Sequence, residues 1–533
     1  MPPLPPDLTA IHRLRALRIM DSKHANANRK SQALVNYILE VETAAGSYFI
    51  RSHGQLYMFM GLTRRILRLP FTRPGDEIAA YLHGMYGISL AIPLGRAVYS
   101  HLHDHALNNA MGVELRRFAV YDTKNLTVYL STYDGQMWRI DGGTPERVIN
   151  GDDDVFFVDD DGGVTVEPDI GPHGILLNKL VDLNYTAGIG GITPEQQRMA
   201  MTVWIFALAF PDLMPTKPLL MLEGTPGSGK SAATQLLQTA LMGMSRPMIL
   251  SKNKEDDFGV VLLRSPIAVF DNTDSYIEWV PDAVCAYTTQ GFWVKRKLYT
   301  DDDERIIKPH AFIAVASKNP ASFRREDVAD RQVIIRLDRR DGFTPFEDLR
   351  AEILAQRTQL LGEYIWYVNE IVDYLRVTND EVAQEETTRM ADFAAFARAV
   401  GAVMRWSEEG ITNLLTALAS ERDAFISEED PLVELLHKWI VYRARGFSSI
   451  GRKVTLFELY NEITGIAQAD GIQFYKSARM LAQKIRSPHV AREFDVEIEI
   501  DNRQKVYRIW RKTDPKLRPI NGGVEAGLDV QAD

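Results

Sequence analysis

The sequence predicts a multidomain α/β protein, and three observations predict it. First, the run Leu219-Leu220-Met221-Leu222 leads through Glu223 into a glycine-rich loop, and then into the helix-compatible stretch AATQLLQTALM. That is the pattern of strand, tight loop and helix. Second, apolar strands and helical patterns alternate across 170–345, as a parallel sheet with helices on its faces requires. Third, the charge changes sign near the end: 431–512 carries 15 Lys/Arg against 9 Asp/Glu, in a chain of net charge −10. A chain of 533 residues has room for about three or four domains. The expected order is a flexible arm (1–28), an α+β N-terminal domain (29–165), an α/β P-loop core (170–345), a helical segment (346–430), a C-terminal winged helix-turn-helix (431–512) and a disordered tail (513–533).

Composition excludes several classes. Hydrophobic content of 45% and charged content of 25% are those of a globular protein with sizeable cores. The net charge of −10 argues against a general polyanion binder, so any nucleic-acid contact has to come from local basic patches. The single cysteine, Cys285, rules out an intrachain disulfide framework and suits a reducing, cytoplasmic setting. The longest apolar stretch, 201–210, is about half of what a membrane span needs, so no membrane partner is expected. The opening MPPLPP has neither the basic nor the apolar region of a signal peptide.

The elements follow in order. Residues 1–28 are Pro-rich, then basic and polar, and read as a loosely held arm. Leu34, Ile38 and Val41 set a helical spacing over 31–41. Strands at 48–50 and 56–59 flank Ser52-His53-Gly54. Helices are expected over 76–86 and 94–111. On the second, His101 and His105 share a face, but without a further placed ligand they read as a packed or solvated helix. Strands at 115–121, 127–130 and 137–140 alternate and are split by Asp-Gly turns, a meander signature. The acidic run within 151–163 reads as a solvated turn at a domain edge, because EF-hand spacing is missing.

The core carries the chemistry. Gly224, Thr225, Pro226, Gly227, Ser228, Gly229, Lys230 and Ser231 fit G-x-x-x-x-G-K-[ST] at every fixed position. Glycines let successive N–H groups turn toward phosphate oxygens, and the following helix adds its positive end. Lys230 would neutralise the β- and γ-phosphates of ATP, and Ser231 would offer a hydroxyl to Mg²⁺. The strand 265–271 ends in Asp271, 41 residues after Lys230, where a carboxylate would hold the Mg²⁺ together with Ser231. The next strand, 311–318, ends at Asn319, whose amide could orient the attacking water. Arg331 precedes the last strand and suits a finger reaching a neighbouring subunit's γ-phosphate; Arg324 and Arg325 rank behind it. The other reading is a surface arginine paired with Asp327 or Asp330.

On these residues the chain resembles the AAA+ ATPases. More narrowly it is similar to the superfamily III helicases and related primase–helicase proteins of phages, plasmids and integrated elements. The matching residues are the loop from Gly224 to Ser231, Asp271-Asn272, Asn319 and Asp327-Val328-Ala329-Asp330-Arg331. Arg389-Met390-Ala391-Asp392-Phe393 resembles a segment found after the core in such proteins. The resemblance covers about 190–400, while the flanks match only by arrangement. It implies a homo-oligomeric ring, usually a hexamer, with ATP at subunit interfaces and translocation along one DNA strand. The expected function is therefore an ATP-dependent helicase or translocase on single-stranded or forked DNA, in replication of a mobile element. An ATP-switched initiator or loader without unwinding is the alternative, and an AAA+ remodeller of proteins is a third. One departure bears on the choice. The family usually carries a second acidic residue after the strand-ending Asp, as catalytic base; here Asn272 stands there, and Asp274 could substitute.

Two regions are candidates for DNA contact. Between Asp271 and Asn319, two β-rich arms flank the acidic turn Asp301-Asp302-Asp303-Glu304. In the similar proteins a hairpin here projects into the ring channel; Lys295, Arg296, Lys297 and Arg305 are the phosphate-contact candidates. Cross-strand pairing with the acidic turn is the other reading. Within 431–512, helices at 431–443, 456–467 and 475–486 precede strands at 496–500 and 506–510. Ala478, Leu481, Ala482 and Ile485 form the buried stripe of the third helix, leaving Lys476, Arg479, Gln483 and Arg486 for a DNA groove, with Arg503 and Lys505 on the wing. A winged helix used for protein contact is the alternative.

Overall fold

Five parallel strands, each apolar through most of its length, form the central sheet. They and their helices are β1 (Leu219–Gly224), α1 (Lys230–Met242), β2 (Met248–Ile249), α2 (Glu255–Arg264), β3 (Ile267–Asp271), α3 (Val280–Gln290), β4 (Phe312–Ser317) and β5 (Gln332–Leu337). The strand order is β2-β3-β4-β1-β5, and every neighbouring pair is parallel. The structure, a computed structural model, describes residues 6–22, 25–69, 77–158, 162–251, 255–290, 293–296, 304–307, 310–340, 342, 344–378, 390–428, 432–444, 453–470, 474–486, 488–501 and 504–512.

Parallel strands covered on both faces read as unbroken apolar runs. Leu219, Leu220, Met221 and Leu222 are accordingly all buried in β1, the strand between β4 and β5. Because β1 is followed in sequence by strands that lie elsewhere in the sheet, the loops at its carboxyl end and those of β3 and β4 open side by side. Open α/β sheets bind ligands at such a place.

The apolar stretch at 201–210 is explained by helix Pro194–Ala207, which is buried almost all round. Thr193 and Gln196 close its first turn as a reciprocal capping box, and Trp204 Nε1 donates to the Pro218 carbonyl at 2.9 Å, just ahead of β1. After β5 come the helices Phe346–Ala355, α4 (Arg357–Thr378), Ala391–Val403 and Glu408–Ser427.

The chain divides into two compact units, Met1–Ala419 and Ser420–Asp533. In the first unit the cores do not follow the expected boundary at 165. Phe118, Tyr121, Val128, Leu130, Trp138 and Ile140 share one core with Leu220 and Leu222 of β1 and Tyr364 of α4. These meander strands (Ala119–Asp122, Thr127–Ser131, Gln136–Ile140) are therefore built onto the sheet's core. The strand expected at 115–121 is broken into Leu115–Arg116 and Ala119–Asp122. Residues 16–106 have a core of their own, with Leu34, Ile38, Leu82, Tyr86, Val98 and Leu102. The arm is helical over Pro6–Met20, and Ala16 is fully buried in that core. The carboxylate of Glu42 sits there too, 2% exposed, and accepts from the hydroxyls of Tyr81, Tyr86 and Ser47. Three donors offset the penalty of burying its charge.

The second unit contains α5 (Leu432–Ala444), β6 (Val454–Thr455), α6 (Leu456–Ala469), α7 (Ala478–Lys484), α8 (Pro488–Glu493), β7 (Phe494–Asp501) and β8 (Gln504–Arg511). Its sheet runs β6-β8-β7, antiparallel throughout. Leu435, Leu459, Ile463, Leu481, Ile485, Phe494 and Tyr507 form the core. The third expected helix begins later than its pattern suggested, because the Ser477 side chain caps it by accepting from Met480 N. β6 and α8 were not legible in the sequence. The expected tail, 513–533, lies outside the described residues.

Candidate active site

The glycine loop joins β1 to α1 at the sheet's carboxyl edge, between the ends of β4 and β5. Gly224 pairs with Leu337 of β5 so closely that a Cβ there would lie 2.0 Å from the Leu337 carbonyl oxygen. Gly227 and Gly229 hold φ of 86° and 85°, a left-handed backbone that side chains resist. α1 starts at Lys230 with no side-chain cap, which leaves its first N–H groups for a ligand.

Lys230 folds over this loop. Its Nζ donates to the Gly224 carbonyl at 2.7 Å, the Thr225 carbonyl at 2.9 Å and Ser228 Oγ at 3.1 Å. Burial lowers its pKa, while Asp274, Asp271 and Glu223 pull the other way. All three acceptors are neutral, so an arriving phosphate would exchange them for charged oxygens, a stronger set.

Ser231 Oγ donates to Asp271 Oδ1 at 2.8 Å, bringing the last residue of the loop motif onto the end of β3. A hydroxyl and a carboxylate at this distance can share a divalent cation. Asn272 turns the chain immediately after β3. Its φ is 58°, and its N–H donates to Asp271 Oδ1 at 2.9 Å and to the Ala316 carbonyl at 3.0 Å. Asn tolerates left-handed backbone better than most residues, which gives the non-acidic side chain here a conformational reason.

Asp274 is occupied. Its Oδ1 accepts from Ser317 Oγ at 2.6 Å, Lys318 N at 2.8 Å and Asn319 N at 3.1 Å. Burial raises its pKa, but the bonds from Ser317, Asn319 and Lys318 and the charge of Lys230 outweigh that and lower it on balance. Such a carboxylate clamps the loop after β4 and makes a weak proton acceptor. The same clamp fixes the backbone of Asn319, which is exposed beside the cleft.

The three candidate arginines have different surroundings. Arg324 points inward: it is 9% exposed, and its Nη2 meets Glu223 Oε1 at 2.8 Å. Arg336 meets the other Glu223 oxygen at 2.9 Å. Arg324 is thus engaged within its own protomer, and a reach to a neighbour does not fit its position. Arg325 is exposed and held by Asp282 at 2.6 Å and by both Asp327 oxygens at 2.6 and 2.9 Å. The bond to Asp327 raises its pKa, against the pull of burial. Arg331 is half-buried; its Nη1 donates to the Asp327 carbonyl and to Cys285 Sγ, the latter at 3.4 Å.

The DNA-contact candidates lie elsewhere. Trp293–Arg296 and Glu304–Ile307 pair antiparallel, with Lys295 opposite Arg305. Lys297 lies outside the described residues, and the side chains of Lys295, Arg296 and Arg305 are likewise not described. In the second unit Lys476, Arg479, Gln483, Arg486 and Lys505 are exposed, while Leu481 and Ile485 are buried. Arg503 lies outside the described residues. Among the described residues no group of three or more potential metal-ligating side chains occurs, and no helix is long and apolar enough to cross a membrane. His105 packs edge-on against Phe49.

With this geometry in place, comparison with known proteins gives one family match. Residues 190–416 match the actinomycete integrative conjugative element replication protein family. The matched segment includes the glycine loop, Asp271, Asn319 and the arginine stretch. No curated protein matches the chain. Among solved structures, one described as an active helicase, SCCmec type IV Cch, is 11% identical, with a TM-score of 0.43 over 86% of this chain and 90% of that one. The apo A form of the NrS-1 C-terminal region is 11% identical, with a TM-score of 0.40 over 89% of this chain and 98% of that one.

Two residues escaped the sequence reading. Glu223 takes two buried guanidiniums, and its signal was a lone charge inside an apolar strand. Arg357, at the start of α4, donates to the Ala240 and Leu241 carbonyls at 3.0 and 3.4 Å, in the last turn of α1. Burial pushes its pKa down to about 10. Nothing in the sequence around Arg357 marks it.

Proposed function

We propose that this chain is an ATP-hydrolysing motor that assembles as a ring and separates DNA strands during replication of a mobile element. The motor reads as superfamily III-like, with ATP and Mg²⁺ in a pocket that a neighbouring subunit completes. The observation that carries this reading is the Ser231–Asp271 hydrogen bond of 2.8 Å beside Lys230, at the carboxyl ends of β1 and β3. A hydroxyl, a carboxylate and an ammonium side by side are what a Mg²⁺-triphosphate needs. The match of 190–416 to a replication-protein family supports the substrate class. The hairpin at 293–307 and the exposed cations in and beside α7 supply the DNA contacts in this reading, with the second unit acting as a winged helix.

A forked duplex with ATP tests it. The wild-type chain is expected to separate the strands, and Lys230→Ala to lose both separation and ATP turnover, by about 10²-fold or more. ATP-dependent binding with no separation by the wild type would instead favour an initiator or loader. Asn272 supports that second reading, because no carboxylate follows Asp271 directly and Asp274 is engaged by three donors. The winged-helix assignment has its own test. Charge reversal at Lys476 and Arg479 is expected to weaken duplex binding and to lower the salt slope by about 0.9 for each phosphate no longer neutralised. Unchanged duplex affinity would assign this unit to another partner.

A further inference from the structure

β4 lies between β3 and β1 in the sheet, so the residues that follow it stand between Asp271 and the glycine loop. The register fixes their level. Asp271 is opposite Ala316 on one side, and Glu223 is opposite Ser317 on the other. Lys318 comes next, directly after the end of β4, and is exposed. It lines the same cleft as Lys230, Ser231, Asp271 and Asp274. The cleft therefore holds a second ammonium that the loop motif does not account for.

The backbone of Lys318 is fixed. Its N–H donates to Asp274 Oδ1 at 2.8 Å, beside the bonds from Ser317 Oγ and Asn319 N. At this position the clamp uses the main chain alone, which leaves the ammonium out of it. Loop N–H groups and the start of α1 would take the inner phosphates, and Ser231 with Asp271 would hold Mg²⁺ at the outer ones. Asp271 and Asp274 place two carboxylates at that outer end, near enough to act on the charge of Lys230. Mg²⁺ neutralises only part of a triphosphate, so Lys230 alone leaves this end short of positive charge. Lys318 is the cation placed to make it up.

We propose that Lys318 contacts the γ-phosphate and lets the pocket tell a nucleoside triphosphate from a diphosphate. A compact ammonium on a flexible stem suits a terminal phosphate, and the contact is charge-assisted on both sides. A diphosphate ends before reaching it. The role differs from that of Arg331. An arginine finger acts on charge that builds up during transfer, whereas Lys318 acts in the ground state, before any bond breaks. The proposal rests on the reading of the cleft as an ATP site and names the group that senses which nucleotide fills it.

The test uses the full chain with Mg²⁺ and a fluorescent nucleotide, displaced either by ADP or by a non-hydrolysable ATP analogue. Lys318→Ala is expected to weaken binding of the analogue about tenfold or more, the effect of one lost hydrogen bond between charged groups. Its affinity for ADP should equal the wild type's. The bond to Asp274 comes from the backbone and survives the change, so ADP binding also reports that the pocket is intact. Lys318→Arg, which keeps the charge, should retain most of the preference for the analogue. The assignment is overturned if Lys318→Ala binds the analogue as the wild type does, or if ADP loses as much as the analogue. It is also overturned if Lys318→Arg is as weak as Lys318→Ala. In each of these cases a wild type that binds both nucleotides keeps the ATP site and loses only this contact. A wild-type chain that binds neither nucleotide loses the motor reading as well.

Discussion

Arg331→Ala is expected to lower ATP turnover by about 10³-fold or more while leaving nucleotide affinity nearly unchanged. Charge accumulates on the γ-phosphate oxygens during transfer, and an arginine supplied across an interface stabilises that charge without being needed for binding. Arg331 Nη1 donates to the Asp327 carbonyl and the Cys285 sulfur, two neutral acceptors that a phosphate can displace, and its charge helps to hold the Asp327 carboxylate ionised. Arg325 is bound by two carboxylates and would have to give up ion pairs to do the same work. Turnover and binding of a fluorescent ATP analogue, measured side by side, separate the two effects. Mixing Arg331→Ala with Lys230→Ala subunits should recover part of the activity, because some interfaces then join an intact Lys230 to an intact Arg331. No recovery on mixing would rule against a shared pocket, and a larger loss from Arg325→Ala would move the finger to that residue.

Glu223→Ala is expected to destabilise the first unit by about 3–5 kcal/mol, the usual range for removing one partner of a buried ion pair. The side chains of Glu223, Arg324 and Arg336 are 7%, 8% and 9% exposed. Without the carboxylate, two buried guanidiniums each lose an ion pair. Arg324→Ala should do less harm, because Glu223 keeps Arg336. The ordering of the two denaturation midpoints is the measurement. If Glu223→Ala unfolds no earlier than Arg324→Ala, the carboxylate is not what holds the cluster together.

The sheet and its loop were legible because their geometry leaves few alternatives. A strand covered on both faces must be apolar throughout, and a loop with left-handed turns at Gly227 and Gly229 needs glycine there. The Glu223–Arg324 pair was not, because the two residues are 101 positions apart and spacing says nothing about which cation a lone strand carboxylate will meet. The meander strands were found, but their alternation shows only that one face is buried, not that it packs with Leu220 and Tyr364. The arm was read from its prolines and charges, which hid the helix of Pro6–Met20. α8 has six residues, too few for a period to show.

α1 is a rod of 13 residues, about 20 Å long. Its first turn adjoins the glycine loop, and its last is gripped by the guanidinium of Arg357 on α4. A stiff rod held at both ends delivers an axial push. Any lengthwise shift of α1 would either carry α4 along or leave two carbonyls without their donor in the interior, at about 1–3 kcal/mol for each group stranded. The helices behind the sheet are in this sense geared to the loop, with Arg357 as the tooth that meshes them.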